Sequence, residues 1–187
     1  MSQAPYTLLK PLLRRTPFLP GESLSSLLER LLILNHYPSR AILEKLYLPH
    51  KPDQPNCPYW LETLDRLSFL TGLPALEICA SSDHRLFHYT WLNILREICA
   101  EGDRSRAHLS IHDPEVFRPA DAAQFCPRCL ADNAYHHLAW RPTAMAICMI
   151  HNCLLLDTCQ CCSKPISVSE IVRSRCDRCH ANLKQMI

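Results

Sequence analysis

The sequence predicts a mainly α-helical protein with a small zinc-stabilised α+β region at its C-terminal end. Leucines recur with helical spacing near the N-terminus, no strong strand pattern occurs before residue 125, and four pairs of metal-type donors occupy the last third of the chain. We therefore expect an N-terminal helix-turn-helix domain, residues 1–117, followed by two tandem zinc-ribbon or zinc-finger modules in residues 118–187.

The composition is typical of a folded globular protein, since 48% of its 187 residues are hydrophobic and 20% are charged. There are only 3 glycines and no GxGxxG or GxxxxGK[ST] motif, which excludes the common phosphate-binding loops. No apolar run is long enough to span a bilayer, and the first residues lack the layout of a signal peptide. We expect a cytoplasmic protein that does not bind membranes.

The N-terminal part begins with an expected extended arm, residues 1–20, which contains four prolines. Ser23 is then a candidate N-cap of an amphipathic helix, with Glu22 near the positive helix end. The inward stripe has i, i+3, i+4, i+7 spacing and consists of Leu24, Leu27, Leu28 and Leu31. Residues 35–38 end this helix, and a second helix is predicted from Ser39 to about Leu48, which completes a helix-turn-helix layout.

The middle of the chain predicts a second pair of helices. Prolines at a strict period of three in residues 49–58 indicate a stiff polyproline II linker. A third helix follows from Trp60, with Gly72 as its C-terminal cap and Pro74 starting the next helix. Another helix is expected at 91–99. The helix-turn-helix layout alone is weak evidence for DNA recognition. The second helices of both layouts are not rich in Arg, Asn or Gln, the residue types that favour contacts to bases.

Seven cysteines and one histidine form four pairs whose two donors are three residues apart. This spacing lets a tight turn aim both donors at one ion, and two turns complete the tetrahedron that zinc takes in structural sites. Taken in order, the pairs predict one site from Cys126, Cys129, Cys148 and His151, and a second from Cys159, Cys162, Cys176 and Cys179. Both sites are closed by four protein ligands, so we expect two structural Zn²⁺ ions and no catalytic residue.

Other donors leave alternatives open at these sites. Cys153 or Cys161 could each replace a neighbouring ligand, and His136 or His137 could compete, although surface or packing roles are the simpler interpretation of the two histidines. Three lone cysteines in apolar surroundings are expected to be small core residues: Cys57, Cys79 and Cys99.

Two enzymatic interpretations are also open. The donors could be cross-braced as in a RING-type ubiquitin ligase, but the seven residues between His151 and Cys159 exceed the usual separation in that arrangement. A Cys–His hydrolase could use Cys79 with His84 or His88, but no recognisable nucleophile turn accompanies them. We therefore expect a protein that is not an enzyme.

The charge balance argues against a DNA-binding protein that acts alone. Residues 1–125 contain 13 basic and 14 acidic side chains, and residues 126–187 contain 7 and 4. Seven thiolates and two Zn²⁺ would make the second part neutral, whereas phosphate binding usually needs a clear basic surplus. The balance favours a protein–protein adaptor that touches nucleic acid only locally, through basic clusters at Lys10, Arg14 and Arg15 and at Arg173, Arg175 and Arg178.

Two segments resemble the TniQ/TnsD family of transposition proteins. Residues 20–27, PGESLSSL, and Arg30 resemble the family's opening signature, although Leu27 stands where tryptophan is usual. The C-terminal third resembles the family's zinc-finger pattern, in the order Phe125, Cys126, Cys129, Tyr135, Leu138, Trp140, Cys148, His151, Leu155, Cys159, Cys162, Cys176, Cys179 and Leu183. Two residues depart from this pattern: Asn133 stands where an acidic residue is usual, and Cys161 takes a position that is usually not cysteine. The length is similar to the short TniQ of CRISPR-associated, type V-K-like transposons.

This resemblance implies a non-catalytic adaptor in RNA-guided, Tn7-like transposition in bacteria. It would link a Cas effector complex with its guide RNA to the filament of the AAA+ ATPase TnsC on target DNA. The N-terminal region would then dock a protein partner through Arg14, Arg15, Glu22 and Arg30. The zinc region would face the effector and its RNA or DNA through Arg173, Arg175 and Arg178, although the sequence leaves open which face binds which partner. The alternative is a stand-alone helix-turn-helix and zinc-ribbon DNA-binding regulator.

Overall fold

The computed structural model describes residues 10–38, 61–83 and 122–186. Within these ranges the chain is mostly helical and has one small antiparallel sheet. The predicted helices at 39–48 and 91–99, the polyproline segment at 49–58 and the domain boundary near residue 117 lie outside the described ranges. The first helix-turn-helix layout therefore stays a prediction. No helix in the described ranges has both the length and the hydropathy needed to cross a membrane.

Helix α1 spans Leu24–Leu34 and confirms the predicted N-terminal helix. The Ser23 hydroxyl accepts a hydrogen bond from the Ser26 backbone N–H, which caps the first turn. At the other end the Asn35 amide donates to the Leu31 carbonyl, and His36 has a left-handed backbone that turns the chain away. The predicted leucine stripe is buried throughout.

Two further helices complete the described helical part. Helix α2 spans Leu61–Thr71 and helix α3 spans Ala75–Ala80. Gly72 joins them with φ of 71°, a left-handed conformation that side-chain-bearing residues rarely adopt, so glycine is favoured at this position. Pro74 caps α3 instead of forming its first residue. The helical core consists of Leu12, Leu24, Leu27, Leu28, Leu31, Leu32, Leu67, Leu70 and Ile78.

The C-terminal part contains short elements around a second core. Helix α4 spans Pro127–Asp132 and helix α5 spans Val168–Arg173. Strands β1, Ile147–Cys148, and β2, Cys153–Leu154, form an antiparallel hairpin with the register Ile147↔Leu154 and Cys148↔Cys153. Single 3-10 turns occur at Leu138–Trp140 and Leu183–Gln185.

The two parts are joined by buried polar contacts. The Ser23 backbone N–H donates to the His136 carbonyl at 2.9 Å, and the His136 N–H donates to the Ser26 hydroxyl at 3.0 Å. The Leu138 N–H donates to the Gly21 carbonyl at 2.8 Å. The N-terminus of α1 is therefore held by residues that precede the β1–β2 hairpin, and α1 also packs beside α5.

Candidate metal centres

The first four-donor group has the spacing that a tetrahedral metal ion needs. The side-chain donors of Cys126, Cys129, Cys148 and His151 all lie within 4.8 Å of one another. The Cys129 and Cys148 sulfurs are 3.6 Å apart, and the Cys129 sulfur lies 3.2 Å from His151 Nδ1. Zinc–sulfur bonds of 2.3 Å in a tetrahedron place two sulfurs about 3.8 Å apart. The group could hold a metal ion with little movement.

This first centre is built from a helix N-terminus and a hairpin turn. Cys126 caps α4, and its sulfur accepts a hydrogen bond from the Cys129 backbone N–H. Cys148 and His151 come from the β1–β2 hairpin, where the Asn152 N–H donates to the Cys148 carbonyl. Asn152 has φ of 50°, a left-handed conformation that asparagine tolerates well.

His151 presents one nitrogen to the thiols and the other to a carboxylate. Its Nδ1 lies 3.5 Å from the Cys126 sulfur, whereas its Nε2 lies 3.7 Å from Asp132 Oδ2. A carboxylate on the outer nitrogen fixes the tautomer and ring orientation of a metal-binding histidine. The geometry therefore suits binding through Nδ1, and Asp132 lies near the outer nitrogen but beyond hydrogen-bond distance.

The second four-donor group is made by two turns that resemble each other. Its sulfurs also lie within 4.8 Å of one another, with Cys159–Cys179 at 3.5 Å and Cys162–Cys176 at 3.7 Å. Each turn is closed by a backbone bridge, Thr158↔Pro165 in one and Arg175↔Asn182 in the other. All four donors are thiols. Structural zinc sites use either four thiolates or a mixture of thiolates and imidazoles.

Three of the four donor pairs are followed by the same backbone conformation. The residue after the second donor is left-handed in each: Asn152, Ser163 and His180, with φ of 50°, 57° and 60°. The N–H of that residue donates to the carbonyl of the first donor at 2.8, 2.8 and 2.9 Å. The left-handed residue reverses the chain after the donor pair, so both side chains point into the same concavity.

Backbone N–H groups favour the thiolate form of the first cysteine in two of these turns. Burial acts to raise the pKa of Cys148, but the N–H groups of His151 and Ile150 bring it down to about 7. In Cys159 burial is opposed in the same way by the N–H groups of Cys162 and Cys161, and its pKa is also about 7. Thiolates are the form that binds metal, so Cys148 and Cys159 are the donors best prepared at neutral pH, whereas burial raises the pKa of their neighbour Cys126 to about 11.

Glu170 links the two turns of the second centre, and the sequence analysis missed it. Its fully buried carboxylate accepts hydrogen bonds from Lys164 Nζ at 2.8 Å, from the Asp177 N–H at 2.8 Å and from Ser167. Although burial acts to raise the pKa of Glu170, these donors hold it at about 2. Lys164 belongs to one turn and Asp177 to the other. The capping-box pattern from Ser167 to Glu170 was the signal that could have identified it.

The remaining described cysteines differ in their relation to the centres. The Cys153 sulfur lies 3.5 Å from the Cys126 sulfur, so it touches the first centre without belonging to the four-donor group. Cys161 is exposed, and Cys79 is half-buried on α3, where burial raises the pKa of its thiol. Cys57 and Cys99, and His84 and His88, lie outside the described residues.

His136 and His137 serve in packing and belong to neither donor group. His136 is fully buried, its Nδ1 lies 2.9 Å from the Ser23 hydroxyl, and burial lowers its pKa well below the usual value. His137 stacks between Tyr135 and Trp140, with ring centroids 4.4 and 4.5 Å away, and burial also lowers its pKa.

The residues predicted to bind a protein partner differ in exposure. Arg14 and Arg15 are exposed; Arg14 donates to the Leu34 carbonyl, and Arg15 to that of Leu12. Glu22 is only 1% exposed, and its carboxylate forms a 2.6 Å ion pair with Arg30. Glu22 therefore acts inside the fold, by tying the arm to α1, and any effect on a partner would pass through Arg30.

Several hydrogen-bond donors surround the Glu22 carboxylate at the junction between the arm and α1. Burial raises its pKa, and the Leu19 N–H, Arg30 and the Ser26 hydroxyl oppose that rise. Arg30 also donates to the Thr16 hydroxyl at 2.8 Å. Residues 20–23, PGES, thus form the junction between the arm and α1.

The residues predicted to contact nucleic acid lie at the surface of the second centre. Arg173, Arg175 and Arg178 are all exposed. Arg173 lies 3.7 Å from Asp177, and Arg175 donates to the His180 carbonyl. Their side chains therefore remain accessible, and their role in nucleic-acid binding stays a prediction.

The helices and the two Cys/His groups define a mostly helical protein with two candidate structural metal centres. The sequence model of the TniQ family matches residues 13–155, more than half of the chain. The chain therefore belongs to the TniQ family, whose members take part in Tn7-like transposition together with partner proteins. The match includes α1 and the first donor group and ends before Cys159. No curated protein matches the chain.

Proposed function

We propose that the protein is a non-catalytic adaptor of RNA-guided, Tn7-like transposition, which links a Cas effector complex to the TnsC filament on target DNA in the bacterial cytoplasm. The observation that carries the proposal is the family match over residues 13–155, which includes the helical part and the first centre. The near-neutral charge supports it, because a protein that selects DNA alone needs a larger basic surplus.

We also propose that the two donor groups hold one structural Zn²⁺ each. Four donors at tetrahedral spacing occupy each centre, and the ion would supply folding free energy on the order of 10 kcal/mol per site. The residues that would bind it are Cys126, Cys129, Cys148 and His151, and Cys159, Cys162, Cys176 and Cys179. Four protein ligands leave no place for a reactive water, which supports a role without catalysis.

An adaptor must hold its two binding faces in a fixed relation, and the contacts between the helical part and the zinc region support this. Polar groups of α1 and of the segment before β1 pair with each other in the interior. The proposed units, residues 1–117 and 118–187, would then act as one body. Arg14, Arg15 and Arg30 at the N-terminal face remain the proposed partner contacts. Arg173, Arg175 and Arg178 remain the proposed local contacts to RNA or DNA.

Co-sedimentation tests the adaptor proposal directly. The protein is mixed with the AAA+ ATPase of the same transposon, duplex DNA and ATP, and the filament is pelleted. We expect pelleting that requires both the ATPase and the nucleotide. Pelleting with DNA alone, without the ATPase, would instead support the stand-alone DNA-binding regulator, and hydrolysis of a substrate by the purified protein would contradict a non-catalytic role.

A further inference from the structure

Cys153 lies beside the first centre, although it does not belong to the four-donor group. Its sulfur is 3.5 Å from the Cys126 sulfur, and His151 Nδ1 lies at the same distance, 3.5 Å, from that sulfur. Two sulfurs bound to one zinc ion are about 3.8 Å apart. The Cys126 sulfur therefore contacts one donor inside the group and a second donor, of suitable chemistry and distance, outside it.

The β1–β2 hairpin places Cys153 on the same side as a ligand of the first centre. Cys148 and Cys153 are cross-strand partners, and such partners share one face of a hairpin. Three residues beyond Cys153, Leu156 exchanges backbone hydrogen bonds of 2.7 and 2.8 Å with Phe125, which precedes Cys126. The backbone near Cys153 is thus fixed relative to two ligands, so the movement available to its thiol is a rotation of the side chain.

His151 is the donor at the edge of the first centre. The three cysteine donors are buried, whereas the His151 side chain is 22% exposed. Cys153 is also partly exposed, and only Asn152, whose left-handed backbone reverses the chain, separates it from His151. A donor at the edge can leave the site while the buried donors stay in place. His151 is therefore the ligand that Cys153 is placed to replace.

We propose that Cys153 is a reserve ligand of the first centre, which takes the place of His151 and converts a set of three thiolates and one imidazole into a set of four thiolates. This inference rests on the zinc binding proposed above. Both sets occur in structural zinc sites. In the exchange the Cys153 thiol gives its proton to water, the His151 imidazole is released, and the site gains one negative charge. Four donors hold the ion before and after, so the turn that carries His151 can change conformation without loss of the metal.

Removal of His151 from the full-length chain tests the exchange. His151→Ala is compared with the double variant His151→Ala/Cys153→Ala, through zinc content and competition with a chelator. We expect His151→Ala to keep two ions, with a first-site affinity within about tenfold of the unmodified protein, and the double variant to bind at that site at least about a hundredfold more weakly. Cys179→Ala is the matched control, since it removes the donor at the same position of the equivalent turn in the second centre. It should keep one ion.

Substitution of Co²⁺ for zinc gives a second readout, which depends on the number of bound thiolates and not on stability. The thiolate-to-metal charge-transfer absorption of Co²⁺ rises with each thiolate that binds it. His151→Ala should bind Co²⁺ at the first centre through four thiolates, and Cys153→Ala through three thiolates and His151. We therefore expect the absorption to be stronger in His151→Ala than in Cys153→Ala, because the second centre contributes equally to both.

The outcomes separate the exchange from the zinc binding on which it rests. If the unmodified protein binds no zinc, both proposals fail. If the unmodified protein binds two ions and His151→Ala binds one, zinc binding stands and Cys153 is not a reserve ligand. Equal first-site affinities for His151→Ala and the double variant would also overturn the exchange, because three donors would then hold the ion without Cys153. A charge-transfer absorption in His151→Ala no stronger than in Cys153→Ala would do the same.

Discussion

Asp83 and Arg141 form a buried, two-pronged ion pair between the helical part and the C-terminal part. Arg141 Nη2 lies 2.8 Å from Asp83 Oδ2, and Arg141 Nε lies 3.1 Å from Oδ1. The Arg141 side chain is 2% exposed and the Asp83 side chain is 1% exposed. Because the paired geometry satisfies both carboxylate oxygens, the pair fixes the orientation of the two parts as well as their distance.

We expect Asp83→Ala to lower the free energy of unfolding by about 3–5 kcal/mol, because it leaves the Arg141 guanidinium buried without its counter-charge. Urea unfolding followed by circular dichroism measures this. Arg173→Ala is the control, since it removes the exposed Arg173–Asp177 pair and is expected to cost about 0.5 kcal/mol or less. Equal losses from the two variants would show that the buried pair does not hold the two parts together.

The metal content should distinguish the two centres and the two extra cysteines. We expect two zinc ions per chain, and one after Cys159→Ser, because that change removes a donor from the second centre only. Cys153→Ala should keep both ions but weaken the first site about tenfold, because Cys153 can donate an S–H hydrogen bond to the Cys126 thiolate and alanine cannot. Zinc analysis and competition with a chelator measure both effects.

Cys161→Ser is the control for the Cys153 variant, since Cys161 is exposed and belongs to neither donor group. Its zinc content and affinity should match those of the unmodified protein. If Cys161→Ser instead loses an ion, Cys161 is a ligand of the second centre and the grouping of the four sulfurs is wrong.

Glu170→Gln should destabilise the protein by about 2 kcal/mol at pH 7, because charge-assisted hydrogen bonds to the buried carboxylate are lost. The pKa of Glu170 is held at about 2, below its ordinary 4.5, so its contribution is complete above pH 4.5 and is lost as the pH falls toward 2. The difference in unfolding free energy between variant and unmodified protein should therefore be constant from pH 5 to 7 and shrink below pH 4.5.

Zinc content measured at each pH for both proteins separates acid release of the metal from the titration of Glu170. Glu77→Gln, at an exposed position on α3, should leave stability unchanged at every pH. A difference for Glu170→Gln that grows on acidification would contradict the assignment of Glu170 as a buried, ionised link.

Ser23→Ala should cost about 1–2 kcal/mol of stability, because the hydroxyl caps α1 and contacts buried His136 at 2.9 Å. Thermal unfolding measures the loss. Ser169→Ala, within α5, has no side-chain contact of this kind in the structure and should change the midpoint little. If the two variants are equally stable, neither the cap nor the contact with His136 contributes to stability.

The sequence predicted features whose cause is local. The limits of α1 followed from an N-cap, a leucine stripe and a helix-ending segment, all within neighbouring residues. Donor spacing likewise predicted two sets of four donors, and the eight paired donors do come together as these two groups. Donor spacing predicts these groups because two donors three residues apart constrain the conformation of a single turn, independently of the residues around it.

The sequence by itself determined the amphipathic helix, the donor turns and the family, because each depends on residues close together in the chain. Only the tertiary structure decided which polar residues are internal. Ser23 meets His136 across 113 positions and Asp83 meets Arg141 across 58, and no local pattern encodes such pairs. The same limit made Glu22 look like a surface contact and concealed the burial of Glu170. Burial is a property of the whole packed chain, and it decides whether a charge binds a partner or stabilises the fold.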